Sequence, residues 1–139
     1  MRLYSLLIAS AITTVLALPA MAQQSTTMHH YVLFFKYTDQ VIKAMTDNPQ
    51  DRVAAAAKLS EAFGGKLEAL YFFPMGGEYD GFAINQAPSD TAIEALQMVA
   101  RSTGAFAKGV VVPVIASGEF KTLMETAKQG AASYAAPGR

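Results

Sequence analysis

Lys66-Leu67-Glu68-Ala69-Leu70-Tyr71-Phe72-Phe73-Pro74-Met75-Gly76-Gly77-Glu78-Tyr79-Asp80-Gly81-Phe82-Ala83-Ile84-Asn85-Gln86 is the stretch on which the reading of the fold turns. Two segments rich in aromatic and apolar residues, 66–73 and 79–86, flank a glycine pair. Glycine tolerates positive φ, so Gly76-Gly77 marks the turn of a β-hairpin. The turn also delivers Tyr79 and Asp80 side by side at one end of a sheet. Hydrogen-bonding side chains are scarce elsewhere in the apolar segments, which makes this corner the first place to look for chemistry.

Outward from the hairpin, the same logic assigns the remaining elements. Residues 30–37 read as a strand, and Thr38-Asp39 can cap a short helix carrying Val41, Ile42 and Met45. Asp47-Asn48-Pro49 interrupts it, with Asn48 suited to an N-cap and Pro49 to a first helical turn. Val53, Ala56, Leu59 and Phe63 then form one stripe, closed by Gly64-Gly65. Pro88-Ser89-Asp90 opens a second helix with Ile93, Leu96, Val99 and Ala100 inward, ending at Gly104. A fourth strand is expected over 109–116. Pro113 removes a ladder donor there, so that strand belongs at a sheet edge. A last amphipathic helix, expected over 118–129, carries Phe120, Leu123, Met124 and Ala127. The Ala/Gly/Ser-rich end, 130–139, is expected to be a disordered tail. The order β-α-β-β-α-β-α predicts an α+β fold, a ferredoxin-like βαββαβ sandwich over 30–117 with an added C-terminal helix.

The beginning of the chain has a different character. Arg2, an apolar run over 3–18, and Ala20-Met21-Ala22 match the three regions of a secretory signal peptide, with cleavage expected after Ala22. This predicts a periplasmic or secreted protein with a mobile leader over 23–29 and no membrane attachment after cleavage. Removal of 1–22 leaves about 117 residues of the 139, one ordinary domain, with ten basic and eleven acidic residues. No basic stripe exists, which argues against nucleic acid as a partner. The absence of Cys removes disulfides, thiolate catalysis and Cys-ligated metals.

Strand faces predict self-association. In 30–37, Tyr31, Leu33, Phe35 and Tyr37 share one face, and His30, Val32, Phe34 and Lys36 share the other. Both faces carry large apolar groups, yet two helices can cover only one. An uncovered apolar face would be a large exposed patch. Two sheets facing each other would give a homodimeric α/β barrel. The alternative is that the last helix folds over the open face within one chain.

Gly77-Glu78-Tyr79-Asp80 resembles the motif that names the GYD-domain family. Tyr37-Thr38-Asp39-Gln40 and Gly64-Gly65-Lys66 extend the resemblance, which covers about residues 31–119. Val41 departs from it, standing where a Gly is expected. The resemblance implies a small ferredoxin-like domain without an established reaction, and so supplies no catalytic residues.

The candidate site residues follow from the residues alone. Tyr79, Asp80 and His30 are the candidates for acid, base or hydrogen-bond donor, and Tyr71 joins them as a ligand-binding candidate. Asp80 can equally serve its own turn through backbone hydrogen bonds, with Tyr79 packed beside it. Strand parity places Asp80 with Phe82 and Ile84, and Tyr79 with Gly81, Ala83 and Asn85. His29-His30 could hold a metal, but no other His and no acidic pair at metal spacing supports it, so neither metal nor cofactor is expected. The aromatic set Tyr31, Phe34, Phe35, Tyr37, Tyr71, Phe72 and Phe73 is core, interface or the wall of a site for a small apolar or aromatic ligand. Arg101 could meet an anionic ligand or stay on a solvated helix face. P-loop, dinucleotide, HExxH and GxSxG patterns are absent. The expectation is therefore an exported homodimeric small-molecule-binding module. The alternatives are a cofactor-free isomerase or mono-oxygenase of the dimeric barrel class and a structural interaction protein.

Overall fold

The computed structural model describes residues 27–135 and 137. The expected signal peptide, 1–22, lies outside the described residues, as do the first residues of the leader and part of the tail.

Four strands form one antiparallel sheet: β1 (His29–Tyr37), β2 (Lys66–Phe72), β3 (Gly81–Ala87) and β4 (Phe106–Val114). Their spatial order is β2-β3-β1-β4. Helices α1 (Asp39–Asp47) and α2 (Val53–Ala62) connect β1 to β2, α3 (Asp90–Ser102) connects β3 to β4, and α4 (Ser117–Ala131) follows. This is the ferredoxin-like βαββαβ arrangement. β4 lies at an edge, as Pro113 requires, and Pro113 stands opposite Tyr31.

Alternation along β1 decides which face is covered. Tyr31, Leu33, Phe35 and Tyr37 are buried, while Val32, Phe34 and Lys36 between them are half-buried. The core joins Tyr31 and Leu33 to Ala83 and Ala87 of β3 and to Ile93 and Leu96 of α3, with Leu59, Phe63, Leu67 and Leu70 packed against it. The opposite face has no cover among the described residues. Val110, Val112 and Val114 are more than a third exposed there, and Tyr71 is 56% exposed.

Several element ends differ from expectation for identifiable reasons. Asn48 does not start a helix: it closes α1 with φ −140° and ψ 85°, the extended region that a following proline imposes. α2 begins later, at Val53, whose N–H is taken by Asp51 Oδ1 at 2.9 Å. Ser89 caps α3 by accepting from Ala92 N–H at 3.2 Å. β3 begins at Gly81, because Gly76 (φ 71°) and Gly77 (φ 142°) open a wider loop that keeps Glu78 and Tyr79 out of the ladder. β4 begins at Phe106, three residues before the valine-rich run that signals it.

The last helix corrects one alternative. α4 buries no residue, and Phe120, Leu123 and Met124 are each more than half exposed. It does not fold over the open sheet face of its own chain. Its helical structure also extends to Ala131, two residues into the expected tail.

Candidate functional site

The hairpin corner forms a set of ties between loop and sheet. Asp80 donates its N–H to Phe35 O (2.8 Å), and its carbonyl accepts from Phe73 N–H (2.7 Å). Its carboxylate spans two groups of β1: Oδ2 accepts from Tyr37 N–H at 2.8 Å, and Oδ1 accepts from Lys36 Nζ at 3.1 Å. Lys36 also donates to Gly77 O at 3.2 Å. Asp80 thus closes one backbone donor with its carboxylate, on the neighbouring strand and not in its own turn. Its carboxylate is committed to partners.

Tyr79 precedes β3, so strand parity does not govern it. Its ring packs 5.4 Å from Phe34 on the open face, and Lys108 Nζ lies 4.6 Å above it. Lys108 also pairs with Glu78, and these two neighbours raise its pKa, Glu78 first. The space that Gly81 leaves is filled by Phe35: an added Cβ would lie 2.7 Å from Phe35 Cζ and would collide with the Tyr71 carbonyl.

His30 stands near the start of β1, with Nδ1 3.1 Å from Glu68 Oε2, and Glu68 Oε1 accepts from Gln86 Nε2 at 2.7 Å. Tyr71 packs against Phe82, 5.3 Å between ring centroids, on the open face. His30 and the Tyr37 end of β1, where Asp80 binds, are about 20 Å or more apart at ~3.3 Å per residue. A single-chain pocket rimmed by His30, Tyr79 and Asp80 is therefore not assembled. Antiparallel pairing puts the hairpin at one end of the sheet and His30 at the other. Among the described residues, no three His, Cys, Asp or Glu side chains come together as metal ligands.

A cavity lies elsewhere, between the covered sheet face and α1, α2 and α3. It measures about 550 Å³. Leu33, Leu59, Leu67, Leu70, Ala83 and Leu96 make its apolar wall. Asn85 enters it from β3 and is only 2% exposed. Ser60 Oγ meets Asn85 Oδ1 at 2.6 Å. The other end of the amide finds no partner among the described residues, and it is not shut away from the cavity space.

The opposite end of the cavity is built around Tyr37. Its ring stacks on Phe106 at 4.9 Å and 28°. Burial pushes the phenol pKa up, the Arg52 guanidinium beside it pulls back, and the Asp80 charge adds to the rise. Thr38 N–H donates to Ala105 O at 2.9 Å, which brings the end of α3, and Arg101 with it, to the same end of the sheet. Gln50, Arg52, Gln97, Arg101 and Thr103 are other polar residues on the lining, which also takes in Lys108 but among the described residues contains no Asp, Glu or His.

Residues 31–124 match the GYD domain. The chain belongs to the GYD domain family. No curated protein matches it. Among solved structures it is similar to 30S ribosomal protein S6 from Thermotoga maritima, with 12% identity and a TM-score of 0.44 over 73% of this chain and 99% of that one.

In this GYD domain, then, the signature corner and the cavity are separate features. None of Tyr79, Asp80, His30 and Tyr71 lines the cavity. Arg101, singled out by its place on α3, does line it. Tyr37, named in the aromatic set as core, interface or site wall, lines it too, whereas Asn85, Ser60, Arg52 and Gln97 were not foreseen as site residues. One signal was available for Asn85. Parity with Gly81 and Ala83 puts an amide on the covered face of a central strand, where an unpaired polar group is costly.

Proposed function

We propose that this GYD-domain protein is an exported homodimer that binds a small, largely apolar molecule in the cavity beneath its helices. The observation that carries the reading is Asn85. A side chain 2% exposed keeps one end of its amide unpaired and turned to an apolar space of about 550 Å³. No fully buried side-chain nitrogen or oxygen lacks a partner among the described residues, so this amide end reaches the cavity space, where a ligand or ordered water can complete it. The volume lies in the range typical of small-molecule sites, with few polar groups in an apolar wall.

Binding is better supported than catalysis. Among the described residues the cavity lining offers neither carboxylate nor imidazole as general base, and the raised pKa of Tyr37 keeps its phenol protonated near neutrality. A cofactor-free isomerase or mono-oxygenase would have to work with Tyr37 as donor and a base brought by the substrate.

Two features support the homodimer. The open sheet face presents Val32, Phe34, Phe82, Ile84, Val110 and Val112 as a continuous apolar surface. Directly after β4 comes α4, whose apolar stripe is unpartnered among the described residues and whose 15 residues span about 22 Å. A second copy would cover both at once. Export rests on residues 1–22, which have the pattern of a signal peptide.

Native mass spectrometry of the protein purified gently from its exporting host tests the reading. The expected spectrum is a dimer carrying a small-molecule increment, and Asn85→Leu should lose the increment while remaining dimeric. A wild-type dimer that stays bare, even after incubation with apolar metabolite extract, would contradict ligand binding. A bare monomer would contradict the dimer as well.

A further inference from the structure

Resting on the proposal that the cavity binds a small molecule, we infer that its ligand is an amphipathic carboxylate whose anionic head is held by Arg52 and Arg101. Arg52 and Arg101 line the cavity and no acidic residue among the described ones does; Lys108 borders it too, but its ammonium lies over Tyr79 on the open face. Lys108 is neutralised by Glu78. Arg52 donates to the neutral Gln50 Oε1 at 3.2 Å, and neither arginine has a carboxylate partner among the described residues.

Position reinforces charge. Arg52 immediately precedes α2 and lies beside Tyr37, while Arg101 is in the last turn of α3, which the Thr38–Ala105 hydrogen bond fastens to the same strand end. Arg101 is exposed and Arg52 half-buried, so the two stand where the cavity meets solvent. A guanidinium offers a planar fork of donors matched to a carboxylate, and such charge-assisted pairs are about twice as strong as neutral ones. The apolar body of the ligand would then run inward along Leu33, Leu70 and Ala83 toward Asn85. Asn85 pairs with Tyr31, six residues from Tyr37, so the two ends of the lining are about 20 Å apart along β1 at ~3.3 Å per residue. That length suits a chain-like molecule with a charged end better than a compact one.

Isothermal titration calorimetry of the purified full protein with decanoate and with decanol separates head from body. Decanoate is expected to bind at least about tenfold tighter than decanol at low ionic strength, the difference expected of charge-assisted hydrogen bonds over neutral ones. Arg101→Gln, an exposed substitution on a helix end, should shrink that ratio, and Arg52→Gln with Arg101→Gln should bring it close to one. Lys121→Gln on α4 should leave it unchanged. Equal affinity for acid and alcohol would overturn the anion assignment while leaving the cavity reading intact. Binding of neither compound would remove the cavity reading too, as would binding unaffected by Leu70→Trp, which fills the wall in a protein still folded by circular dichroism.

Discussion

Asp80 and Tyr31 show how single side chains hold this fold. Asp80 satisfies the Tyr37 N–H and the Lys36 ammonium from one carboxylate, where hairpin and β1 meet. Asp80→Ala leaves the Tyr37 N–H unpaired and is expected to lower stability by about 1–3 kcal/mol in urea titration. Asp80→Asn, which keeps one acceptor, should cost less, and equal losses would contradict the backbone role. Tyr31 is 1% exposed and donates to Asp90 Oδ1 at 2.6 Å. Its pKa is pushed up from 10.0 to about 12, by burial first and then by the hydrogen bond and charge of Asp90. A raised folded-state pKa means that the native form holds its proton longer than the unfolded chain. The contribution is complete below pH 10 and is lost as pH climbs toward 12. Wild type should therefore lose more stability over that interval than Tyr31→Phe, measured by chemical denaturation at stepped pH. At this scale the sequence was partly legible. Asp80 stands out as a carboxylate at a turn, but its partners depend on the register between β1 and β3. Asn85 is visible only as an amide at an inward position, and its free end follows from where Ser60 falls on α2.

The elements obey pattern more openly. Period-two alternation identifies the strands, and Pro113 correctly forces β4 to the edge. Where the pattern misled, local chemistry had a competing claim. Asn48-Pro49 has the composition of a helix start, but proline holds Asn48 extended and α2 starts only at Val53, after Asp51 has taken the Val53 N–H. Tyr79 has strand parity with Ala83 but lies outside the ladder, because the glycine loop ends only at Gly81. Gly81 itself is a packing requirement of the β2–β3 pair. Gly81→Ala would drive a methyl into the Tyr71 carbonyl and the Phe35 ring. It is expected to cost roughly 1–3 kcal/mol or more, in the range of overpacked cores. Gly118→Ala, at the start of α4 with open space around it, should be neutral or slightly stabilising. Thermal denaturation of the two variants side by side checks this, and similar melting temperatures would refute the close-packing account.

At the scale of the whole molecule, one sheet has two apolar faces and the described residues cover only one. The covered face holds the core and the cavity, and the open face and α4 are left for another surface. This imbalance was legible in the strand pattern. The cavity was not, because a void depends on how far α1, α2 and α3 stand from the sheet, and no periodicity encodes that spacing. If the open face joins two copies, Val112→Glu should convert dimer to monomer in analytical ultracentrifugation without loss of secondary structure. Its wild-type counterpart should remain dimeric at micromolar concentration. A monomeric wild type would refute self-association through this face. The claim that the covered face binds and the open face associates is tested most directly by methyl NMR of the labelled protein titrated with decanoate. The account predicts shifts in the methyl signals of Leu33, Leu59, Leu70 and Leu96, with Val110, Val112 and Val114 unmoved. Shifts confined to the three valines, or none at all, would contradict it.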